Sequence, residues 1–384
     1  MVGTPSVSRF AVEKERHPSQ KQPEARFEGF DFLRAVFSIA VVALKTNLFL
    51  LAELLVSSSF AYALIAKTAY LAVPVFLQIS LFLFYLKSET LGFSYFLRKR
   101  LPRLISLYFF WVGMKVLFDI SVKGQSDVII KALSAPRSLI EFIVSGGQSP
   151  FFFFFALTFL TTLAAALISL FRRLRVSQSK RLLINYALLI ASCLLIFVLS
   201  VVEIIVNRFG GDSASNLARS ISNIAFWDYN PLNFLPYLFT TAIAIQEFND
   251  GRLRTWSKWL KTKLSIILAF TICFSTLELH LFEKLLHYSR LSLVFGSWLL
   301  LYLALLSTVK VPASIKFIAS CSLGIYGFHV FFDALLSAEQ NGFLKNFFPE
   351  VPGLSVVVSF VLVLGFSILM TIILKQVKGL KNYV

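Results

Sequence analysis

Charge, cysteine and histidine are all scarce in this chain. Of 384 residues only 20 are acidic, 4 are histidine and 3 are cysteine. Cys193, Cys273 and Cys321 are odd in number and scattered through apolar runs, which excludes a disulfide framework and a zinc spacing. The histidines offer no metal site either: His17 lies near the start, His280 and His287 are seven apart, and His329 stands alone. There is no internal repeat, nucleotide-binding glycine loop or Ser-His-Asp elbow. With 15% charged residues, 57% hydrophobic residues and a mean hydropathy of +0.76, the chain is too apolar for a soluble fold of its length.

Apolar runs dominate instead. Runs of about 20 residues, the length that crosses a hydrocarbon core of about 30 Å, fall near 33–56, 60–86, 101–121, 151–171, 182–206, 231–246, 263–281, 289–309, 315–337 and 353–375. The expected fold is all-α, a polytopic integral membrane protein built as a bundle of about ten transmembrane helices. The short run at 231–246 carries Pro231 and Pro236, so its helix is expected to begin further back, near Ser222. The first run does not read as a cleaved signal peptide, because a polar stretch precedes it and no small-residue cleavage site follows. Residues 1–28 read as a disordered basic cytoplasmic tail, 29–376 as one transmembrane domain and 377–384 as a short cytoplasmic tail.

The formal net charge of +17 would suggest nucleic acid in a soluble protein. Here the lipid bilayer is the expected partner, nucleic acid is not, and what matters is which loops carry the charge. One set of segments holds 26 of the 37 basic residues: the N-terminal stretch through Arg34, then Lys87 to Arg103, Arg172 to Arg181, Arg252 to Lys263, Lys310 with Lys316, and Lys375 to Lys381. The intervening loops carry fewer, offset by acids such as Asp119, Asp127 and Glu141. The positive-inside rule then puts both termini in the cytoplasm and requires an even number of spans.

Two stretches carry chemistry. In Phe30–Leu50, FDFLRAVFSIAVVALKTNLFL, Asp31 and Arg34 open an apolar helix and Lys45 follows. An ionisable group near mid-membrane costs at least about 2.5–3.5 kcal/mol, so its default reading is functional. The spacing from Arg34 to Lys45 advances about 16 Å and nearly three helical turns, which puts both on one side. Ser38 shares that face, and Asp31 lies one turn before Arg34, where it can orient the guanidinium. In Tyr95–Trp111, YFLRKRLPRLISLYFFW, Arg100 and Arg103 share a helix face beside Arg98 and Lys99. Arginine forks suit phosphate, so an anionic cytosolic ligand fits; the alternative is a charged anchor at a helix end. A third stretch, 207–230, combines Asp212, Asp228 and Asn230 with Trp227 and Tyr229. That mix can hold a sugar, although Trp and Tyr also mark any membrane interface.

Four segments in order carry a family resemblance. FDFLRAVFSIAVVALK resembles the opening helix of the acyltransferase 3 family, membrane enzymes that O-acylate sugars and polysaccharides, and AVPVFLQISLFLFYL resembles its next helix. FLRKRLPRLISLYFFW is similar to its R-x-x-R helix, and IASCSLGIYGFHVFF to its late Ser-x-x-x-Tyr-x-x-His helix. The resemblance implies acyl-CoA as the donor substrate with no bound cofactor and no metal. It also implies a glycan or glycolipid acceptor and a bacterial plasma membrane. Arg34, Arg100 and Arg103 would bind the donor. The family's catalytic histidine falls at Lys45, with Asp31, Ser38, Ser80, Tyr326 and His329 in support. After Ser80 the family has Gly-Phe where this chain has Leu81 and Phe82, and Phe151–Phe155 replaces a tryptophan-containing segment.

The substitution at Lys45 opens several readings. A lysine made neutral by desolvation can act as a base or be acylated as a nucleophile. Alternatively catalysis is lost and Lys45 pairs with a carboxylate such as Glu53, leaving a scaffold or subunit for glycan assembly. A small-solute transporter is a third reading, against which the chain lacks paired broken helices in matching halves. His329 supplies the missing imidazole only if the ninth helix meets the first at the same depth; otherwise it is a packed, hydrogen-bonded histidine with Tyr326 and Ser322 on its face. Glu203 and Asp333 fall near external helix ends.

Overall fold

The computed structural model describes residues 27–49, 51, 68–125, 127–209, 229–253, 255–281, 288–336 and 352–384. The described residues form ten long helices and no strand. They are α1 Glu28–Lys45, α2 Ala72–Leu91, α3 Leu101–Ser121, α4 Phe152–Arg173, α5 Gln178–Phe209, α6 Leu235–Asn249, α7 Lys258–Leu281, α8 Leu291–Leu306, α9 Ala313–Leu336 and α10 Pro352–Gln376. Each overlaps one predicted run, and seven are long and apolar enough to cross a membrane. The protein is an all-α integral membrane protein. Two short helices, Asp127–Ser134 and Pro136–Val144, link α3 to α4.

Two helix boundaries differ from expectation. The first run does not continue to residue 56, because α1 ends at Lys45. Asn47 takes the left-handed conformation (φ 57°), its N–H donates to Leu44 O, and Leu48 N–H donates to Ala43 O. This is a Schellman-type stop, in which asparagine tolerates the conformation that ends the helix. The expected start of the sixth helix, Ser222, lies outside the described residues, but Tyr229 and Asn230 just before α6 are not helical. Asn230 caps a 3-10 turn at Pro231–Phe234, and α6 follows from Leu235. Pro231 and Pro236 occupy first-turn positions, where a missing N–H costs little.

Helix α2 lies at the centre, against α1, α4, α6 and α8, and most of it is buried. Leu77, Leu81 and Phe82 on it are fully enclosed. Helices α5, α7 and α10 bury far less, since lipid tails cover their apolar outer faces as a core would. On the other side, α9 packs between α1 and α10. Two glycines set its approach: a Cβ on Gly327 would meet Trp111 Cη2 of α3 at 2.1 Å, and one on Gly324 would meet Thr371 Oγ1 of α10 at 2.1 Å.

Side-chain ties gather alternate helix ends at one face. Glu28 pairs with Lys316 at 2.6 Å, Arg172 donates to Ser88 O at 3.1 Å, and Gln178 donates to Asp250 at 2.6 Å. Lys263 pairs with Glu247 at 2.7 Å, and Lys375 donates to Ser320 O at 2.8 Å. The basic segments outside the N-terminal stretch therefore share one end of the bundle. At the opposite end Asn233 donates to Ser289 Oγ at 3.0 Å, and Glu278 accepts from Ser292 N–H at 3.0 Å.

Candidate functional site

At the basic end, a π-helical turn at Phe96–Arg100 leads into α3, with Pro102 in the first α-helical turn. The wider turn carries Arg100 towards α2. Its Nη2 donates to Ser80 Oγ at 2.6 Å and lies 3.5 Å from Ser80 O. The Arg100 Nε is buried and has no partner among the described residues. Arg103, one turn on, is exposed and close enough to Arg100 for the two cations to interact. One guanidinium is thus fixed by α2 while the next remains free in solvent, a pair able to hold an anion.

The first helix contributes a second charged group. Asp31 is buried and interacts electrostatically with the partly buried Arg34. Ser38 is fully buried, and its hydroxyl donates to Ala35 O at 2.9 Å, so it serves its own helix. Neither a hydrogen bond nor an electrostatic interaction among the described residues joins Arg34 to Arg100 or Arg103. Beside them Leu81 and Phe82 fill the interior where the resemblance expects glycine first. The Phe82 ring packs edge-on against Phe30 at 5.4 Å, Phe27 at 5.6 Å and Phe248 at 5.6 Å.

Lys45 is the last residue of α1, and it is exposed. A cation there also suits the helix's terminal carbonyls. Glu53 lies outside the described residues, and among those described Lys45 makes no ion pair. Val42 of α1 and Ile325 of α9 are fully buried in one cluster, and one turn further along each helix come Lys45 and His329, which interact electrostatically.

His329 is fully buried, and its Nδ1 lies 3.2 Å from Ile325 O. A carbonyl can only accept, so Nδ1 carries the proton and Nε2 the lone pair. Nε2 is buried and without a partner among the described residues. Tyr326 is held beside it, with ring centroids 5.7 Å apart and its hydroxyl donating to the Pro150 carbonyl. Phe153, in the phenylalanine run, packs 5.2 Å from the Tyr326 ring. Helix α9 packs on α1, and the charge of Lys45 acts on His329.

Of the third stretch, Asp212, Trp227 and Asp228 lie outside the described residues. Tyr229 packs 4.6 Å from Phe152, and Asn230 accepts from Leu232 N–H at 3.0 Å. Among the described residues no group of three or more metal-ligating side chains occurs. Sequence reading missed one polar cluster outright. Lys263, read as a topology mark, donates to Glu247 Oε1 at 2.7 Å, Tyr186 OH at 2.8 Å and Tyr302 OH at 2.8 Å. Its Nζ also lies 5.0 Å from the Trp298 ring centroid and 5.3 Å from that of Trp259. The available signal was Glu247, an acid closing the apolar run of α6.

Comparison with curated proteins and with solved structures finds no match. The profile of the acyltransferase domain that defines the acyltransferase 3 family matches residues 27–374, from the first described residue almost to the end of α10. The clusters at Arg100 and at Lys45 thus lie within the matched domain, and the chain belongs to the acyltransferase 3 family.

Proposed function

We propose that this protein transfers an acyl group, acetyl in the simplest case, from acyl-CoA at the basic, cytoplasmic end of the bundle to a hydroxyl of a glycan or glycolipid. The observation that carries this reading is the arginine pair: Ser80 holds Arg100 in place, and Arg103 stands free one turn away. A preset guanidinium beside an exposed one suits the phosphates of a CoA ester, because forks bind phosphate bidentately. Arg34 and Asp31 form a second charged station, and Lys45 marks the transfer centre further along α1. In the reaction the acceptor oxygen attacks the thioester carbon, the carbon–sulfur bond breaks, and the hydroxyl proton passes to a base and on to the thiolate.

Two measurements test this. Surface glycans of the native strain should carry acyl esters that a deletion strain lacks, and Lys45→Ala should reproduce the deletion. Purified protein should bind acetyl-CoA, and Arg100→Ala with Arg103→Ala should abolish that binding. If deletion removes no ester and Lys45→His creates none, acyl transfer is not its activity. A catalytically silent subunit of a glycan-assembly complex is the second reading, favoured by the lysine at the histidine position and by Leu81 filling the core.

A further inference from the structure

Resting on the acyl-transfer reading, we propose that the general base is the imidazole of His329, and that Lys45 stabilises the oxyanion of the tetrahedral intermediate. Four observations place the roles this way. Helices α1 and α9 pack together, and Val42 and Ile325 bring Lys45 and His329 to one level. The bond from Nδ1 to Ile325 O fixes the tautomer, so the lone pair resides on Nε2. That Nε2 is buried and without a partner among the described residues, so its lone pair is uncommitted. Lys45 stands exposed beside it, and an ammonium has three donors and no lone pair. It suits a developing negative charge and not a proton in need of an acceptor.

The step balances within these groups. Once Nε2 is uncovered, the acceptor hydroxyl gives up its proton there as its oxygen bonds to the thioester carbon. The carbonyl oxygen becomes an oxyanion facing Lys45. When the intermediate collapses, the carbon–sulfur bond breaks and the imidazolium returns the proton to the thiolate. Tyr326 positions the imidazole from one side, its own hydroxyl held by the Pro150 carbonyl.

The test uses the full chain in membranes of the deletion strain, with radiolabelled acetyl-CoA as probe and label in envelope glycan as readout. His329→Gln should lower transfer by about 100-fold or more, the scale of general-base catalysis, with acetyl-CoA binding within about twofold of wild type. His329→Asn separates chemistry from packing, because its amide can keep the bond to Ile325 O but offers nothing at the Nε2 position. It should be as inactive as the glutamine variant. Wild-type transfer in His329→Asn or His329→Gln would overturn the assignment and leave the acyl-transfer reading standing. A wild-type protein that binds acetyl-CoA yet labels no glycan would remove both.

Discussion

Arg100 and Ser80 show how a single hydrogen bond orders a charged site. An unrestrained arginine at a membrane edge samples many rotamers, and ordering it costs about 2 kcal/mol of side-chain entropy. The bond to Ser80 Oγ meets that cost before any ligand arrives. Ser80→Ala removes the tether but leaves the guanidinium, so the donor should still bind, more weakly. We expect the KM for acyl-CoA to rise up to about tenfold, equivalent to about 1.4 kcal/mol, with kcat near wild type. A steady-state titration of acyl-CoA checks this, and a fall in kcat at unchanged KM would mean that Ser80 acts in the chemical step. Arg34 and Lys45 were readable from their spacing. The Ser80 contact was not, because it joins residues 20 apart in the chain through a π turn that no composition signal announces.

Among the helices, the Lys263 cluster ties four elements: Tyr186 from α5, Glu247 from α6, Lys263 from α7 and Tyr302 from α8. Glu247 is fully buried and Lys263 nearly so. Removing one member of a buried ion pair leaves the other desolvated without compensation, which costs about 3–5 kcal/mol. Lys263→Met should therefore lower the thermal midpoint of the detergent-solubilised protein markedly. Lys263→Met with Glu247→Leu should recover much of that loss, since an apolar pair often replaces a buried ion pair at little cost. A double variant no more stable than the single one would show that the cage contributes through packing of its aromatic rings. The helices themselves were legible as apolar runs, because membrane spans must satisfy their backbone internally. Their ends were less so: the stop at Asn47 depends on one left-handed residue inside an otherwise apolar stretch.

For the whole molecule, the order of the helices and the face-sharing of basic loops follow from two physical constraints, span length and charge asymmetry, both written locally in the sequence. The meeting of Lys45 with His329 is not local. It depends on α1 packing against α9, a pairing of segments almost 300 residues apart that hydropathy does not encode. The same distinction decides which functional step is most exposed to test. Every donor assignment assumes that the basic end faces the cytosol, where acyl-CoA resides, and the contacts place Ser177 at that end and Gln125 at the other. Both are exposed. With Cys193, Cys273 and Cys321 replaced, Gln125→Cys should react with a membrane-impermeant maleimide on intact cells. Ser177→Cys should react only after permeabilisation. The reverse pattern would turn Arg100 and Arg103 away from the cytosolic pool, and their role as a donor site would then fail whatever the chemistry at Lys45 and His329.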